Sequence, residues 1–256
     1  MLYGNESISH YTRSNITIWM LMAFQAGVLN MGGFMACHRF VSHVTGFATF
    51  FGHEFSQKNR SQALGMLIVP LFFLFGAMVS GYLVDLRLKL HKKPKYYIAY
   101  AVMLILILLT TLGGWLGWFG PFGAFLEESR KGYLLLILLC FTCGIQNGTI
   151  TSVSRSVVRT THLTGITTDL GIGLVRLLNK QNLSKEHGEL LESEHKATFM
   201  RVGIIAMFVL GSVVGGFLFP VVGFSGFLIP AFTTGILLVS MIYFQTRSPH
   251  LKSERS

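Results

Sequence analysis

Two short segments of the sequence carry the same arrangement of polar residues, His-x-Thr-Gly-x-x-Thr-x-x-Gly. The first copy begins at His43 and the second at His162, 119 residues later. Arg39 lies four residues before the first copy, and Arg159 lies three residues before the second. Arginine side chains and the free amides of a helix N-terminus both attract negative charge. The repeated motif therefore predicts a paired site for a small organic or inorganic anion.

The threonines and glycines of the motif fit the same hypothesis. Gly46 and Gly165 would allow a ligand to approach the backbone closely. The threonines form two pairs with a spacing of four residues: Thr45 with Thr49, and Thr164 with Thr168. Each pair lies on one face of a helix, where the hydroxyls can bind a substrate or donate to the carbonyl one turn earlier. The alternative interpretation is that the threonines and histidines only cap and hydrogen-bond a short helix.

Asp169 is a further candidate, because a carboxylate in apolar sequence usually has a partner or a function. It follows His162 by seven residues, so the two side chains share one helix face. One interpretation is proton coupling through this pair. The other is a structural ion pair of Asp169 with Arg159 or Arg176.

Buried amides are a third group of candidates. Gln146 and Asn147 lie late in one apolar run, and Gln25 and Asn30 lie in another. Such side chains either contact a substrate or form hydrogen bonds between helices. We include Gln146 and Asn147 among the predicted substrate-binding residues.

The composition indicates the class of protein in which these residues lie. Of the 256 residues, 51% are hydrophobic and only 12% are charged, which excludes a disordered chain and argues against a single soluble domain. The charge-free runs are long enough to cross a bilayer core as helices. They predict an all-α membrane protein with six transmembrane helices, at 15–36, 62–84, 97–118, 132–154, 198–219 and 226–246.

The motif segments, 41–56 and 160–179, are too short and too polar to be ordinary spans, so we predict two re-entrant or interfacial helices. A second internal match relates 75–83 to 210–218, with an offset of 135 that a polar insert at 180–196 explains. The chain is therefore predicted to contain two homologous halves, 1–118 and 132–256, joined by a loop at 119–131. Inverted halves follow if the short segments do not cross, and eight spans with parallel halves follow if they do.

The net charge of +10 is concentrated outside the predicted spans. Five cations lie in the loop 85–95, and three more lie in the C-terminal tail. The bias of Lys and Arg toward the inner side predicts that both segments are cytoplasmic, in the cytoplasmic (inner) membrane of a bacterium. The expected partner is the lipid bilayer, with anionic lipid near the basic loop, and no nucleic acid.

The sequence blocks resemble a known family. Phe40-Val41-Ser42-His43-Val44-Thr45-Gly46, Gly144-Ile145-Gln146-Asn147 and Thr161-His162-Leu163-Thr164-Gly165 are similar to blocks of the YoaK-type bacterial membrane proteins, the domain of unknown function 1275. The resemblance covers roughly residues 20–245. It implies a multi-span membrane architecture and brings no established activity. Phe47 stands where this family usually has Asn, and Asn30 stands where an acidic residue is common.

These features together predict a small-solute permease or exporter that uses the paired His-x-Thr-Gly site. The alternatives are a membrane thiol-redox conduit that uses Cys140 and Cys143, and a membrane scaffold that transports nothing. We expect no enzymatic activity and no cofactor, because no Ser/His/Asp order, phosphate loop or pair of carboxylates stands out. We expect no metal, because His38, His43 and His53 with Glu54 fit no standard ligand spacing. A homo-oligomer is an open alternative.

Overall fold

The computed structural model describes residues 13–126, 131–153, 163–179 and 188–247, and these residues form helices and no strand. The helices are α1 Arg13–Cys37, α2 Val44–Ser56, α3 Arg60–Ser80, α4 Leu86–Lys89, α5 Tyr96–Trp115, α6 Gly132–Val153, α7 Leu163–Leu178, α8 Gly188–Val222 and α9 Leu228–Arg247. A π-helical turn, Gly81–Asp85, joins α3 to α4, and a 3-10 turn, Gly223–Phe227, joins α8 to α9. The all-α prediction is confirmed for the described residues.

Five helical runs are long and apolar enough to cross a membrane: Asn15–Cys37, Arg60–Lys89, Tyr96–Trp115, Gly132–Ser152 and Ser193–Tyr243. The prediction was six. The difference arises because α8, the 3-10 turn and α9 form one run of 51 residues. The predicted break between the last two spans is found at Gly223–Phe227, where Gly223 has a positive φ of 55°. Such a φ favours glycine and interrupts a regular helix.

The eighth helix is longer than the predicted span at 198–219. It begins at Gly188, so the second part of the polar insert 180–196 is helical and not a loop. An ion-pair cluster accounts for this difference. Glu194 contacts Arg201 at 2.6 Å and Arg176 of α7 at 2.9 Å, so the polar turns of α8 are stabilised by packing against α7.

The closest helix crossings in the bundle occur at glycines. A Cβ atom added to Gly144 of α6 would overlap the carbonyl oxygen of Phe73, and one added to Gly76 of α3 would overlap that of Phe141. The same relation holds between α1 and α8. There, an added Cβ on Gly27 would overlap the carbonyl oxygen of Phe208, and one on Gly211 would overlap that of Phe24. Both crossings therefore bring backbone against backbone, as in other membrane helix pairs with small interface residues.

The contacts along these pairs define the directions of the helices. Gly65 lies against Tyr133 near the beginning of α3 and α6, and Ser80 bonds Thr149 at 2.9 Å near their ends, so α3 and α6 run parallel. Helices α1 and α8 also run parallel, because Gly203 lies against Met20 and Gly215 lies against Met31.

The remaining long helices run against their neighbours. Helices α1 and α6 are antiparallel, since Gly132, which begins α6, lies beside Cys37, which ends α1. Helices α5 and α9 are also antiparallel. Trp115 at the end of α5 donates to Ser225 at 3.0 Å, and Gln245 near the end of α9 donates to the Pro94 carbonyl at 2.7 Å. The basic loop 85–95 and the end of α9 therefore lie at the same end of the bundle, as the charge distribution predicts.

Two apolar clusters fill the bundle and anchor the two short helices. One cluster surrounds Leu29 and Phe219 and includes Phe47 of α2. The other surrounds Tyr100 and Met103 and includes Ile166 of α7. Each short helix is therefore attached to the bundle by an apolar face.

We predict that Gly144→Ala destabilises the protein by about 1–3 kcal/mol, because the overlapping atoms belong to the backbone of α3 and cannot rotate away. Gly235→Ala is the matched control, since an added Cβ there has no atom within 4 Å. Replacing a helical glycine by alanine in open space gains roughly 0.5–1 kcal/mol. Denaturant unfolding of the purified protein in detergent measures both effects. Equal stabilities for the two variants would contradict the close backbone contact between α3 and α6.

Candidate functional site

The chain turns back into the bundle after α1. His38 ends the helix with a positive φ of 55°. The side-chain oxygen of Asn30 then accepts hydrogen bonds from the Val41 amide at 3.2 Å, the Ser42 amide at 3.3 Å and the Ser42 hydroxyl at 3.0 Å. Asn30 precedes Cys37 by seven residues, which is about 10 Å of helix. The segment before α2 therefore lies roughly 10 Å inside the end of α1.

Helix α2 begins at this depth and is short. Its 13 residues have a length of about 20 Å, compared with about 30 Å for a bilayer core. The turn 57–59, with Lys58 at a φ of 61°, joins α2 to α3, and the two helices pack against each other as a hairpin. The residues just before α2, Val41 and Ser42, are thus buried, while His43, Val44 and Thr45 at its start remain exposed at the surface of the bundle.

A narrow cleft lies at this first turn. Its lining residues are Arg39, Phe40, His43, Gly46, Phe47 and Phe50. Three of the predicted site residues, Arg39, His43 and Gly46, are therefore brought together. The cleft is closed in this conformation, because it has no room for a water-sized molecule.

Arg39 is the buried charge of the cleft. The carbon of its guanidinium group lies 4.2 Å from the centroid of the Phe50 ring, which is within the range of a cation–π interaction. One terminal nitrogen donates to the His38 carbonyl at 3.1 Å, and the other lies 3.6 Å from a carboxylate oxygen of Glu54. The arginine Nε is buried and has no hydrogen-bond partner among the described residues.

Glu54 is the residue that the predicted anion site left out. Its side chain is only 7% exposed, and it lies on α2 against Arg39. One signal could have identified it, because it is the only charged residue in 41–56. Sequence spacing alone does not show which arginine such a carboxylate contacts.

His43 and Gly46 pack against each other at the start of α2. His43 is the residue before the first helical turn, and its ring forms no capping hydrogen bond. Its carbonyl accepts from the Gly46 amide at 2.9 Å. A Cβ on Gly46 would lie 3.1 Å from the His43 Nδ1. Because Gly46 has no side chain, the imidazole ring of His43 can occupy this position. The ring is exposed and free to contact a ligand.

The threonine pairs form hydrogen bonds within their own helices, as the alternative interpretation of the motif predicts. Thr49 donates to the Thr45 carbonyl at 3.3 Å, and Thr168 donates to the Thr164 carbonyl at 3.0 Å. All four residues are exposed. In this conformation the hydroxyls of Thr49 and Thr168 are thus bonded one turn back along their own helices.

The second copy of the motif is described only in part, since Arg159 and His162 lie outside the described residues. Thr164, Gly165, Thr168 and Asp169 lie on α7. Asp169 is exposed. Arg176, one of the two predicted partners of Asp169, forms its ion pair with Glu194 instead. The ion pair of Asp169 with Arg176 is therefore not formed.

Gln146 connects helices and does not line the cleft. Its amide nitrogen donates to the Met22 carbonyl at 2.8 Å, and its oxygen accepts from Gln25 at 3.2 Å. The Gln25 oxygen in turn accepts from Thr233 at 2.7 Å and Thr234 at 3.1 Å. Gln25 and Gln146 are both fully buried. Asn147 is also buried, next to Gln146 on α6.

We predict that Asn30→Ala destabilises the protein by about 1–3 kcal/mol, because buried donors of Val41 and Ser42 lose their acceptor. Asn30→Asp keeps an acceptor oxygen at the same position and should retain most of the stability. Unfolding in detergent, compared between these two variants and the wild type, tests the prediction. An alanine variant as stable as the aspartate variant would show that Asn30 does not hold the segment.

Residues 18–240 match the sequence model of a family described as "Protein of unknown function (DUF1275)". The comparisons found no match among curated proteins and none among solved structures. The matched region contains α2–α8 complete and most of α1 and α9, including the cleft, so the resemblance inferred from the sequence blocks is confirmed. This helical protein, with several helices apolar enough to cross a membrane, belongs to the DUF1275 family.

Proposed function

We propose that this protein is a membrane permease for small organic anions and that the anion binds at the start of α2. One observation carries the proposal. The segment that leads into α2, which contains Arg39 and His43, is held roughly 10 Å inside the end of α1 by Asn30. A largely buried arginine just before a helix N-terminus is suited to bind an anion, and transporters commonly place such broken helices near the middle of the membrane.

The proposed topology has six spans, with α8 and α9 as separate spans and α2 and α7 as short helices that do not cross. Length supports this arrangement, because a run of 51 residues is far longer than the roughly 20 residues that one span needs. Helices α2 and α7, at 13 and 16 residues, are shorter than that. The basic loop 85–95 and the C-terminus are proposed to be cytoplasmic, in the cytoplasmic membrane of a bacterium.

Two inverted halves are part of the proposal. In this arrangement α1 corresponds to α6, and α3 corresponds to α8. Gly27 and Asn30 precede Gly144 and Asn147 by 117 residues, and Gly76 precedes Gly211 by 135. The crossing of α1 with α8 is then equivalent to the crossing of α6 with α3. The antiparallel directions of α1 and α6 support inversion.

The packing suggests which parts move. Helices α3 and α6 cross closely, and α2 packs on α3. Helices α1 and α8 cross closely, and α7 packs on α8. We propose that these two groups rock against each other, so that the start of α2 faces one side of the membrane and then the other. The interface between them includes the hydrogen bond from Gln25 to Gln146.

The redox alternative has less support. Cys140 and Cys143 are each 1% exposed, and Cys37 lies in the same apolar cluster. A thiol that exchanges electrons with an external partner must be accessible to it. The scaffold alternative predicts that changes in the cleft alter stability only.

The test is uptake of radiolabelled acetate, benzoate and phosphate into proteoliposomes that contain the purified chain. We expect saturable uptake of an organic anion, and we expect Gly46→Ala to reduce it by about tenfold or more, a loss of ~1.4 kcal/mol. An added Cβ at Gly46 would crowd the His43 ring. Gly52→Ala is the matched control on the same helix, because its Cβ would meet no atom within 4 Å.

Three results would contradict the proposal. The first is the absence of uptake of every anion tested by folded wild-type protein. The second is a Gly46→Ala variant as active as Gly52→Ala. The third is loss of activity in a Cys140→Ser, Cys143→Ser double variant with full activity in Gly46→Ala, which would favour the redox conduit.

A further inference from the structure

The buried carboxylate of Glu54 is paired with Arg39, the arginine that the proposed anion would need. Glu54 is 5% exposed as a residue, and one of its oxygens lies 3.6 Å from a terminal nitrogen of Arg39. Both groups lie at α2, and Arg39 lines the cleft. A second negative group cannot join Arg39 here without facing the charge of Glu54, and like charges in a low-dielectric site repel strongly.

The contact between Arg39 and Glu54 is loose. An optimal arginine–carboxylate pair has two parallel hydrogen bonds of about 2.7–2.9 Å. Here a single separation of 3.6 Å joins the two side chains, and the Nε of Arg39 has no hydrogen-bond partner among the described residues. The guanidinium group therefore has donor capacity that Glu54 does not use and that an incoming carboxylate would fill.

We infer that Glu54 is an internal counter-ion that leaves Arg39 when it takes up one proton, and that a small organic monocarboxylate with an apolar body then binds Arg39. This inference rests on the proposed function, since it concerns the same cleft. The proton comes from the aqueous phase and forms an O–H bond on the Glu54 carboxylate. The ligand enters as an anion with one negative charge, so the net charge of the site does not change.

The walls of the cleft favour an apolar ligand body. Besides Arg39 and His43, the lining side chains are the rings of Phe40, Phe47 and Phe50. A carboxylate with an aromatic or aliphatic body places its charge on Arg39 and its body against these rings. Phosphate would place charged oxygens against the same rings, which costs desolvation that nothing repays.

The other ionisable groups on α2, in the turn that follows it and at the start of α3 are exposed. His43 and His53 lie on α2 itself, Lys58 lies in the following turn, and Arg60 begins α3, the helix packed against α2. Among the described residues, the ion pair of Glu54 is with Arg39. A proton that enters with the ligand is therefore assigned to Glu54 and has His43 and His53 as its competitors.

Benzoate binding to the purified full-length chain in detergent, measured by calorimetry in buffers of different ionisation enthalpy, tests the inference. We expect the wild type to take up about one proton for each benzoate bound. At pH values where Glu54 is deprotonated before benzoate binds, the affinity for benzoate should fall about tenfold for each unit by which the pH rises. Glu54→Gln should bind benzoate with about one proton fewer than the wild type, and its affinity should lose the tenfold fall per pH unit.

Asp85→Asn is the matched control, because Asp85 is an exposed carboxylate paired with Lys89 at 3.2 Å. This variant should keep the proton uptake and the pH dependence of the wild type. The wild-type proton count alone tests the inference if Glu54→Gln does not fold, since benzoate bound without a proton would overturn it.

Other outcomes separate this inference from the proposed function. Proton uptake that persists in Glu54→Gln and is lost in His43→Ala or His53→Ala would assign the proton to a histidine and overturn the role of Glu54. The anion site would remain in that case. No binding of benzoate, acetate or phosphate by folded wild-type protein, together with no uptake into proteoliposomes, would overturn both.

Discussion

A polar segment of chain inside an apolar bundle must have its backbone groups paired, and the candidate site depends on this constraint. Outside water, an unpaired amide costs several kcal/mol. The side-chain oxygen of Asn30 meets the requirement for Val41 and Ser42. With those donors satisfied, the chain can bring Arg39 and the start of α2 against the bundle, roughly 10 Å from the end of α1. An acidic residue at this position would supply the same acceptor oxygen.

The second constraint is the close approach of paired helices. Backbone contact at Gly76 and Gly144, and again at Gly27 and Gly211, leaves no room for side chains. These contacts hold two pairs of parallel helices firmly, and each short helix packs on one member of a pair. The amide network from Gln146 through Gln25 to Thr233 and Thr234 then joins α6, α1 and α9. Because each amide oxygen and nitrogen of this network has a partner, the network stabilises the arrangement of helices seen here, and a rocking motion would have to exchange these hydrogen bonds.

The two motif copies are similar in pattern and different in charge. At the repeat offset of 119, Phe50 of the first copy corresponds to Asp169, and Glu54 corresponds to Gly173. On α2 the carboxylate is buried against Arg39. On α7 the carboxylate is exposed, and Gly173 packs against Glu194 and Arg201 of α8. The first copy therefore has a carboxylate paired with an arginine where the second has a buried glycine packed against α8, so the two copies cannot bind a ligand identically.

Hydropathy by itself determined the helices of this protein and the approximate places where they end. Runs without charge must be helical in lipid, and they located every long helix, with the exception of the polar first turns of α8. Those turns depend on ion pairs with α7 that no local pattern reveals. The repeated motif also indicated Arg39, His43 and Gly46, because a helix N-terminus and its flanking residues are local in sequence.

Tertiary structure alone decided which groups meet. Glu54 pairs with Arg39 because the segment 38–43 turns back along α1. Gln25 bonds Thr234 across 209 positions of sequence, and Arg176 bonds Glu194 instead of Asp169. Each of these contacts depends on how helices pack in three dimensions. Spacing along one helix determines which residues share a face, but it does not determine which other helix that face meets.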